Sequence, residues 1–330
     1  MARSRHTGKV PLLILAVVAV LSCAAGALGG AVPFPLHTVI DALRPGATGD
    51  AAIVRDLRLP RVVVAFGVGG SLAVAGAALQ ALLRNPLAEP WLLGMSGGAS
   101  LGAVIAVMIG LPLGWSVAAL ATVGALAVMA VVYRISVVAG RRLDPRVLLL
   151  AGVVVGAFTA AVSSALLIVT DPFTFHSATV WLFGGFGRSS WRLARDFALV
   201  AVLPLTALWW LSRSLDLLAL GDDSAATLGV DVERTRRLVI VATSVLTAAT
   251  VAAAGVIGFV GLVVPHALRG TIGPLHRRLL PAAFVAGGSF AVLADLLART
   301  VLRPAEVPVG VVTALVGVPL FAILLRRSMQ

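Results

Sequence analysis

The chain has 330 residues, of which 59% are hydrophobic and only 12% are charged, and its formal net charge is +12. An ordinary soluble domain carries about 25% charged residues, so this composition excludes a conventional globular protein. The basic residues lie in short connectors between apolar runs and form no single patch, which argues against nucleic-acid binding.

Uncharged runs long enough to cross a bilayer recur along the chain. A spanning helix needs about 20 apolar residues, and backbone groups in lipid must be bonded within their own segment, so we expect helices. Gly and Pro divide the longest runs, as at 110–114. The pattern predicts an all-α polytopic membrane protein, 1–330 forming a single transmembrane domain, with about ten spans: 11–31, 61–83, 91–109, 114–134, 147–169, 193–212, 238–257, 259–269, 279–298 and 307–326.

The first run follows Arg3, Arg5 and Lys9, and it could also be a lipoprotein signal that ends at Cys23. The run continues past Cys23 to about residue 32, which is long enough to span, so an uncleaved first helix is the simpler interpretation. Cys23 is the one cysteine of the chain, which excludes a disulfide framework and any multi-cysteine metal site.

The distribution of basic residues predicts the orientation. With both termini in the cytoplasm, most of the 26 basic residues fall in inside connectors. The outside then receives Arg44, Arg55, Arg58, Arg61, Arg188, Arg192, Arg195, Arg299 and Arg303. The short span at 259–269 is the weakest element of this topology.

The motifs of common enzymes are missing from the sequence. Gly8-Lys9 continues into Val10, so the chain has no phosphate-binding loop, and neither H-E-x-x-H nor G-x-S-x-G occurs. We therefore expect no enzyme activity, cofactor or metal site. An ion-coupled carrier stays an alternative, but such carriers place ionisable residues at mid-membrane depth, whereas Asp196 and Asp295 fall near span ends.

Several segments resemble one family of membrane proteins. They are RLPR at 58–61, GAALQ at 76–80, RNPLAEP at 84–90, GDDSAATLGV at 221–230, GVIGFVGLVVPH at 255–266, Asp295 with Arg299, and EVPVG at 306–310. In order and spacing, from 55 to 326, the chain is similar to the permease subunits of type II ABC importers for iron-siderophores, haem and vitamin B12. Segment 84–90 also predicts a rigid turn after the second span, with a gating or coupling role as the alternative.

The cytoplasmic connector at about 213–237 has a residue-level interpretation of its own. Asp222, Asp223 and Ser224 are N-cap types, 225–228 can form a short helix, and Gly229 is a natural stop. The resemblance implies that such coupling helices bind the ATPase subunit. It assigns this coupling to Asp222, Asp223, Ala225, Ala226, Leu228 and Gly229, and a solvated loop is the alternative.

The resemblance also implies a docking surface and a translocation pathway. Arg58, Arg61 and Arg299 would receive acidic residues of an extracytoplasmic solute-binding protein, and snorkelling to lipid head groups is the alternative. Helices around the fifth span would line the pathway, which makes the weakly polar Thr159, Ser163 and Ser164 candidates. Interhelical hydrogen bonding is their alternative role.

The resemblance implies a transport subunit of the inner membrane. Its expected partners are a separate ATPase, a solute-binding protein, a second permease subunit that is identical or homologous, and membrane lipid. An iron chelate is the expected substrate, with a ferric siderophore preferred to haem and with vitamin B12 as the alternative. The stretch 181–187 with Trp191 somewhat resembles vitamin B12 permeases.

Overall fold

The computed structural model describes residues 9–30, 32–111, 115–140 and 144–328, and within these ranges the regular elements are helical. The helices are α1 (Lys9–Leu28), α2 (Leu36–Ala42), α3 (Asp50–Ile53), α4 (Leu59–Leu82), α5 (Met95–Met108), α6 (Trp115–Gly140), α7 (Pro145–Ile168), α8 (Pro172–Leu182), α9 (Trp191–Trp210), α10 (Ser212–Leu218), α11 (Asp222–Thr227), α12 (Val232–Ala254), α13 (Val260–Ile272), α14 (His276–Thr300) and α15 (Val309–Ser328). A π-helical turn joins α3 to α4, and a 3₁₀ turn precedes α5.

Ten of these helices coincide with the predicted spans. Seven of them, α1, α4, α6, α7, α9, α12 and α14, include segments long and apolar enough to cross a membrane, and α5, α13 and α15 are shorter apolar helices. The prediction of an all-α polytopic membrane protein is therefore confirmed for the described part of the chain. The sequence did not predict α2, α3, α8 and α10, which lie in connectors.

Helix α4 lies at the centre of the bundle and packs against α9, α12, α13 and α14. Small residues bring α4 and α14 close together: a Cβ added at Gly69 would lie 2.3 Å from the Gly287 carbonyl oxygen. Phe66 and Phe284 pack edge to face beside this contact, with ring centroids 5.9 Å apart. Backbones approach this closely only where one side chain is a hydrogen atom.

Helix α13 begins inside the bundle. The chain leaves α12 at Ala254, turns through Gly255 (φ +72°) and Phe259 (φ +68°), and starts α13 at Val260. Gly261 lies against α4, since a Cβ added at Gly76 would be 2.0 Å from the Gly261 carbonyl oxygen. Gly76 is six residues before the end of α4, so α13 starts about 9 Å inside that end of the bundle.

We name the two ends of the bundle by the features that lie there. The α11 end carries α10 and α11, the end of α4, and the starts of α12 and α14. The arginine end carries Arg58, Arg61 and Arg299. Arg299 donates to the last turn of α1 at the arginine end. The N–H groups of Val307 and of Val309, the first residue of α15, donate to Ala298 and Gly184 there, so α1 starts and α15 finishes at the α11 end.

Candidate functional site

Helix α11 forms where the sequence predicts a short capped helix. It is bounded by Gly221 (φ +120°) at the N-cap position and by Gly229 (φ +85°) after its last turn. Because Gly221 occupies the N-cap position, Asp222 and Asp223 lie in the first turn and make no side-chain cap. Their carboxylates there interact favourably with the helix dipole.

One face of α11 is fixed to the bundle and the other is exposed. Ala225 is fully buried, and both Asp222 carboxylate oxygens accept from Arg236 of α12 at 2.7 Å. Asp223, Ala226 and Leu228 are exposed. Helix α11 is therefore held on one side and presents small and polar side chains, with Leu228 after its last turn, on the other.

A cavity of about 1150 Å³ opens at the α11 end, between α4, α10 and α13. Its wall includes Arg84, Asp216, Arg269 and His276. Asp216 accepts from the backbone N–H of His276 at 2.9 Å and lies 2.6 Å from the Nδ1 atom of His276, which joins α10 to the start of α14. The cavity therefore has rigid walls at the α11 end.

At the arginine end, a buried charge network joins α4, α14 and the connector before α15. The Nη2 atom of Arg61 lies 2.8 Å from Asp295 and 2.9 Å from Glu306, and the Nε atom of Arg299 lies 3.0 Å from Asp295. The side chain of Asp295 is 2% exposed and that of Arg299 is 5% exposed, whereas Glu306 is 49% exposed. Of these charges, Glu306 is the one at the surface.

The predicted docking arginines are bound mainly to the protein itself. Arg299 donates to the carbonyl oxygens of Gly26 and Gly29. Arg58 donates to carbonyl oxygens in the last turn of α1, including that of Leu28 at 2.9 Å, and to that of Val32 beyond it. Its guanidinium lies 4.2 Å from the Phe34 ring centroid. Neither guanidinium snorkels outward in this structure, and their docking role stays a prediction.

A smaller cavity, of about 360 Å³, adjoins Arg61 at the same end. Helix α8, with Trp181 and His176, forms one wall of it, and the other walls include Arg188 and Glu306. Asp171 caps α8, and hydrogen bonds from the Thr174 hydroxyl and from backbone N–H groups lower the pKa of the Asp171 carboxyl.

The predicted pathway residues face different directions on α7. Thr159 and Ser163 are buried and donate to carbonyl oxygens within α7, and Thr159 packs against Gly97 of α5. Ser164 is exposed. The structure therefore favours a helix-packing role for Thr159 and Ser163, and the pathway assignment stays open for Ser164.

Glu89 has no role of its own that the sequence predicts. Its side chain is buried, and one of its carboxylate oxygens accepts from the backbone N–H of Phe259 at 3.2 Å, at the start of α13. The signal in the sequence was a lone carboxylate between two apolar spans. In the described residues, no three His, Cys, Asp or Glu side chains are grouped so that they could hold a metal ion.

A bundle of membrane-crossing helices, with a small exposed helix at one end and a buried charge network at the other, defines a multi-span membrane permease. The chain belongs to the FecCD transport family, whose family model matches residues 12–327. It is the membrane-spanning permease subunit of a type II ABC importer, as the sequence resemblance indicated.

Known relatives and one solved structure cover most of the chain. It is 42% identical over 302 residues to the cobalamin import system permease protein BtuC of Halobacterium salinarum, covering 91% of this chain and 81% of that protein. It is 40% identical over 280 residues to YvrB of Bacillus subtilis, described as an uncharacterized ABC transporter permease protein, covering 84% of this chain and 79% of that one. A solved ABC transporter chain, described as of metal-chelate type in an inward-facing conformation, matches with a TM-score of 0.84 and 30% identity over 96% of this chain and 99% of that chain.

Proposed function

We propose that this permease carries a bulky metal-organic chelate across the inner membrane, driven by a separate ATPase subunit that binds at α11. The observation that carries the proposal is α11 itself, which is fixed through Asp222 and Ala225 and exposes Ala226 and Leu228. Since the sequence has no phosphate-binding loop, the energy of ATP has to reach the permease through a contact of this kind.

Cobalamin is the first candidate substrate, because the relative from Halobacterium salinarum, 42% identical, is named for cobalamin import. A ferric siderophore, which the sequence analysis preferred, is the second candidate, and the structural neighbour of metal-chelate type supports it. Haem, the third candidate, is likewise a metal ion held by an organic ligand. All three are large, rigid metal complexes, so a wide pathway with few charges would suit each of them.

The further partners follow from the two ends of the bundle. We propose that a solute-binding protein docks at the arginine end and that a second permease subunit, identical or homologous, completes the pathway. Arg58 is the least buried of the three predicted docking arginines, and Arg61 pairs with Glu306, whose side chain is half exposed. Arg58 and Arg61 would meet acidic partner residues, while the buried Arg299 holds the surface in shape.

Transport in proteoliposomes tests the substrate. The permease is reconstituted with its ATPase and loaded from the outside with solute-binding protein carrying cobalamin, haem or a ferric siderophore. ATP-dependent accumulation of one chelate is expected, and omission of the ATPase is the control. Accumulation of none of the three, with the ATPase bound, would contradict the proposed substrate class.

A single substitution tests the ATPase contact. Ala226→Arg places a large charged side chain on the exposed face of α11, and we expect ATPase binding to weaken at least about tenfold, as at interface hot spots. Ala305→Arg, the same change at an exposed position of the arginine end, is the matched control. Unchanged binding in correctly inserted Ala226→Arg protein would place the ATPase elsewhere.

A further inference from the structure

The connector between α4 and α5, residues 84–94, turns back into the bundle, and we name it the re-entrant connector. Its turn is held by the Asn85 N–H, which donates to Gln80 O at 3.1 Å, and by the Asn85 side chain, which accepts from the Leu87 N–H at 2.9 Å. Glu89 then lines one small cavity together with Leu72 of α4. Leu72 is ten residues before the end of α4, so Glu89 lies about 15 Å inside the α11 end.

The inner part of the re-entrant connector holds the start of α13. Glu89, 5% exposed, accepts from the Phe259 N–H at 3.2 Å, and Pro90 packs beside Gly261. The first N–H groups of a helix lack partners within the helix, and a carboxylate beside them is electrostatically favourable. This contact is buried and shielded from water, so it fixes the place where α13 begins.

The outer part of the re-entrant connector contacts α11. Arg84 has φ +47°, and its guanidinium lies 3.9 Å from the carboxylate of Asp222. A Cβ added at Gly221 would lie 3.6 Å from the same guanidinium. Asp222 is in turn bound by Arg236 of α12. One short segment therefore contacts the exposed helix at one end and the buried start of α13 at the other.

The surroundings of Glu89 offer its carboxylate a second position. The cavity it lines, of about 10 Å³, is also lined by Ser96 and by Thr247 and Thr250 of α12. The Thr247 hydroxyl is buried and has no hydrogen-bond partner in the described part of the chain. A donor without a partner next to a carboxylate gives the contact an alternative arrangement, as a moving element requires.

We propose that the re-entrant connector transmits movement of α11 to the buried start of α13, with Glu89 as the positioning residue. The inference rests on the proposed function in one respect, namely that α11 is where the ATPase acts. A link of this kind needs evidence that both ends respond together. Two measurements supply this evidence, one on the permease alone and one on the assembled transporter.

Hydrogen exchange in lipid nanodiscs tests the link without any partner. Glu89→Ala should speed exchange in residues 255–264 by about tenfold or more, because the Phe259 N–H loses its buried hydrogen-bond partner. Glu89→Gln retains an acceptor oxygen and should stay within about threefold of the wild type. Arg84→Gln, at the far end, should speed the same segment by about twofold, whereas Arg213→Gln, another exposed arginine near α11, should not.

An unchanged rate of hydrogen exchange in residues 255–264, in either Glu89→Ala or Arg84→Gln, would overturn the proposal.

The second measurement is the number of chelate molecules transported per ATP hydrolysed by the assembled complex. Glu89→Ala should lower this ratio by about tenfold while ATP hydrolysis stays within about twofold, whereas a defect of folding alone would lower both together. An unchanged ratio would overturn the link. A wild-type complex that neither binds an ATPase nor transports a chelate would instead contradict the proposed function, and the exchange result would still decide the link.

Discussion

Asp295 is the residue on which the arginine end depends. Its buried carboxylate lies between the guanidinium groups of Arg61 and Arg299. Asp295→Ala would leave two positive charges beside each other without a buried counter-charge, and breaking a buried ion pair costs about 3–5 kcal/mol. We expect a clearly lower melting temperature for this variant in nanodiscs, with less folded protein recovered from membranes.

The matched control is Asp41→Ala. Asp41 also pairs with an arginine, Arg44 at 2.7 Å, but its side chain is 44% exposed. An exposed pair of this type contributes at most about 1 kcal/mol, so the melting temperature should hardly change. Equal effects of the two substitutions would mean that the Asp295 network does not stabilise the fold.

Ser164 is the remaining candidate for a pathway residue on α7. In a Cys23→Ala background, Ser164→Cys should react with a water-soluble thiol reagent, because Ser164 is exposed. Thr159→Cys and Ser163→Cys should not react, since both positions are buried. An unreactive Ser164→Cys would mean that this face of α7 meets lipid or a neighbouring subunit and that the pathway runs elsewhere.

These residues show how much of the site could be predicted from the sequence alone. Asp295 fell near a predicted span end, but its pairing with Arg61 joins residues 234 positions apart, and one sequence contains no signal for such a pair. Glu89 was visible as a lone carboxylate, yet its role depends on the connector turning inward. The exposed and buried sides of α7 depend on its packing against α5 and α6, which hydropathy does not specify.

At the scale of elements, hydropathy predicted the spans well because each crossing helix must be apolar over most of its length. The short span at 259–269 corresponds to α13, since Gly255 and Phe259 separate it from α12. Helix α8 was missed because its 11 residues are too few for a span. It packs against α5, and that contact cannot be read from local sequence.

The contact of α4 with α13 is the packing that Gly76 makes possible. Gly76→Ala would place a methyl group 2.0 Å from a carbonyl oxygen of Gly261, so one of the two helices would have to move. Overpacking typically costs about 1–3 kcal/mol, and contact with backbone, which yields little, belongs at the upper end of that range. We expect a strongly lowered melting temperature in nanodiscs.

Gly270→Ala is the matched control for this substitution. Gly270 also lies within a helix, α13, but nothing lies within 4 Å of an added Cβ there. Alanine in an open helical position should stabilise the helix by up to about 1 kcal/mol. A destabilised Gly270→Ala beside an unaffected Gly76→Ala would show that α4 and α13 are not in close contact.

For the whole molecule, the path of the chain and the distribution of charge lead to one orientation. Helix α1 starts and α15 finishes at the α11 end, so the first span begins and the last span ends on the same side. Because the expected topology assigns more of the basic residues to that side, the positive-inside rule predicts that it faces the cytoplasm. This predicted orientation agrees with the proposal that a cytoplasmic ATPase binds α11.

Reporter fusions test this orientation. An enzyme that is active only outside the cytoplasm should be silent when fused after Gln330. The same enzyme should be active when it replaces the chain after Pro304, because the connector between α14 and α15 lies at the arginine end. Both results follow from a last span that returns to the cytoplasm. Reporter activity after Gln330 with silence after Pro304 would mean that the whole molecule has the opposite orientation in the membrane. Activity in both fusions would mean that α15 does not cross the membrane.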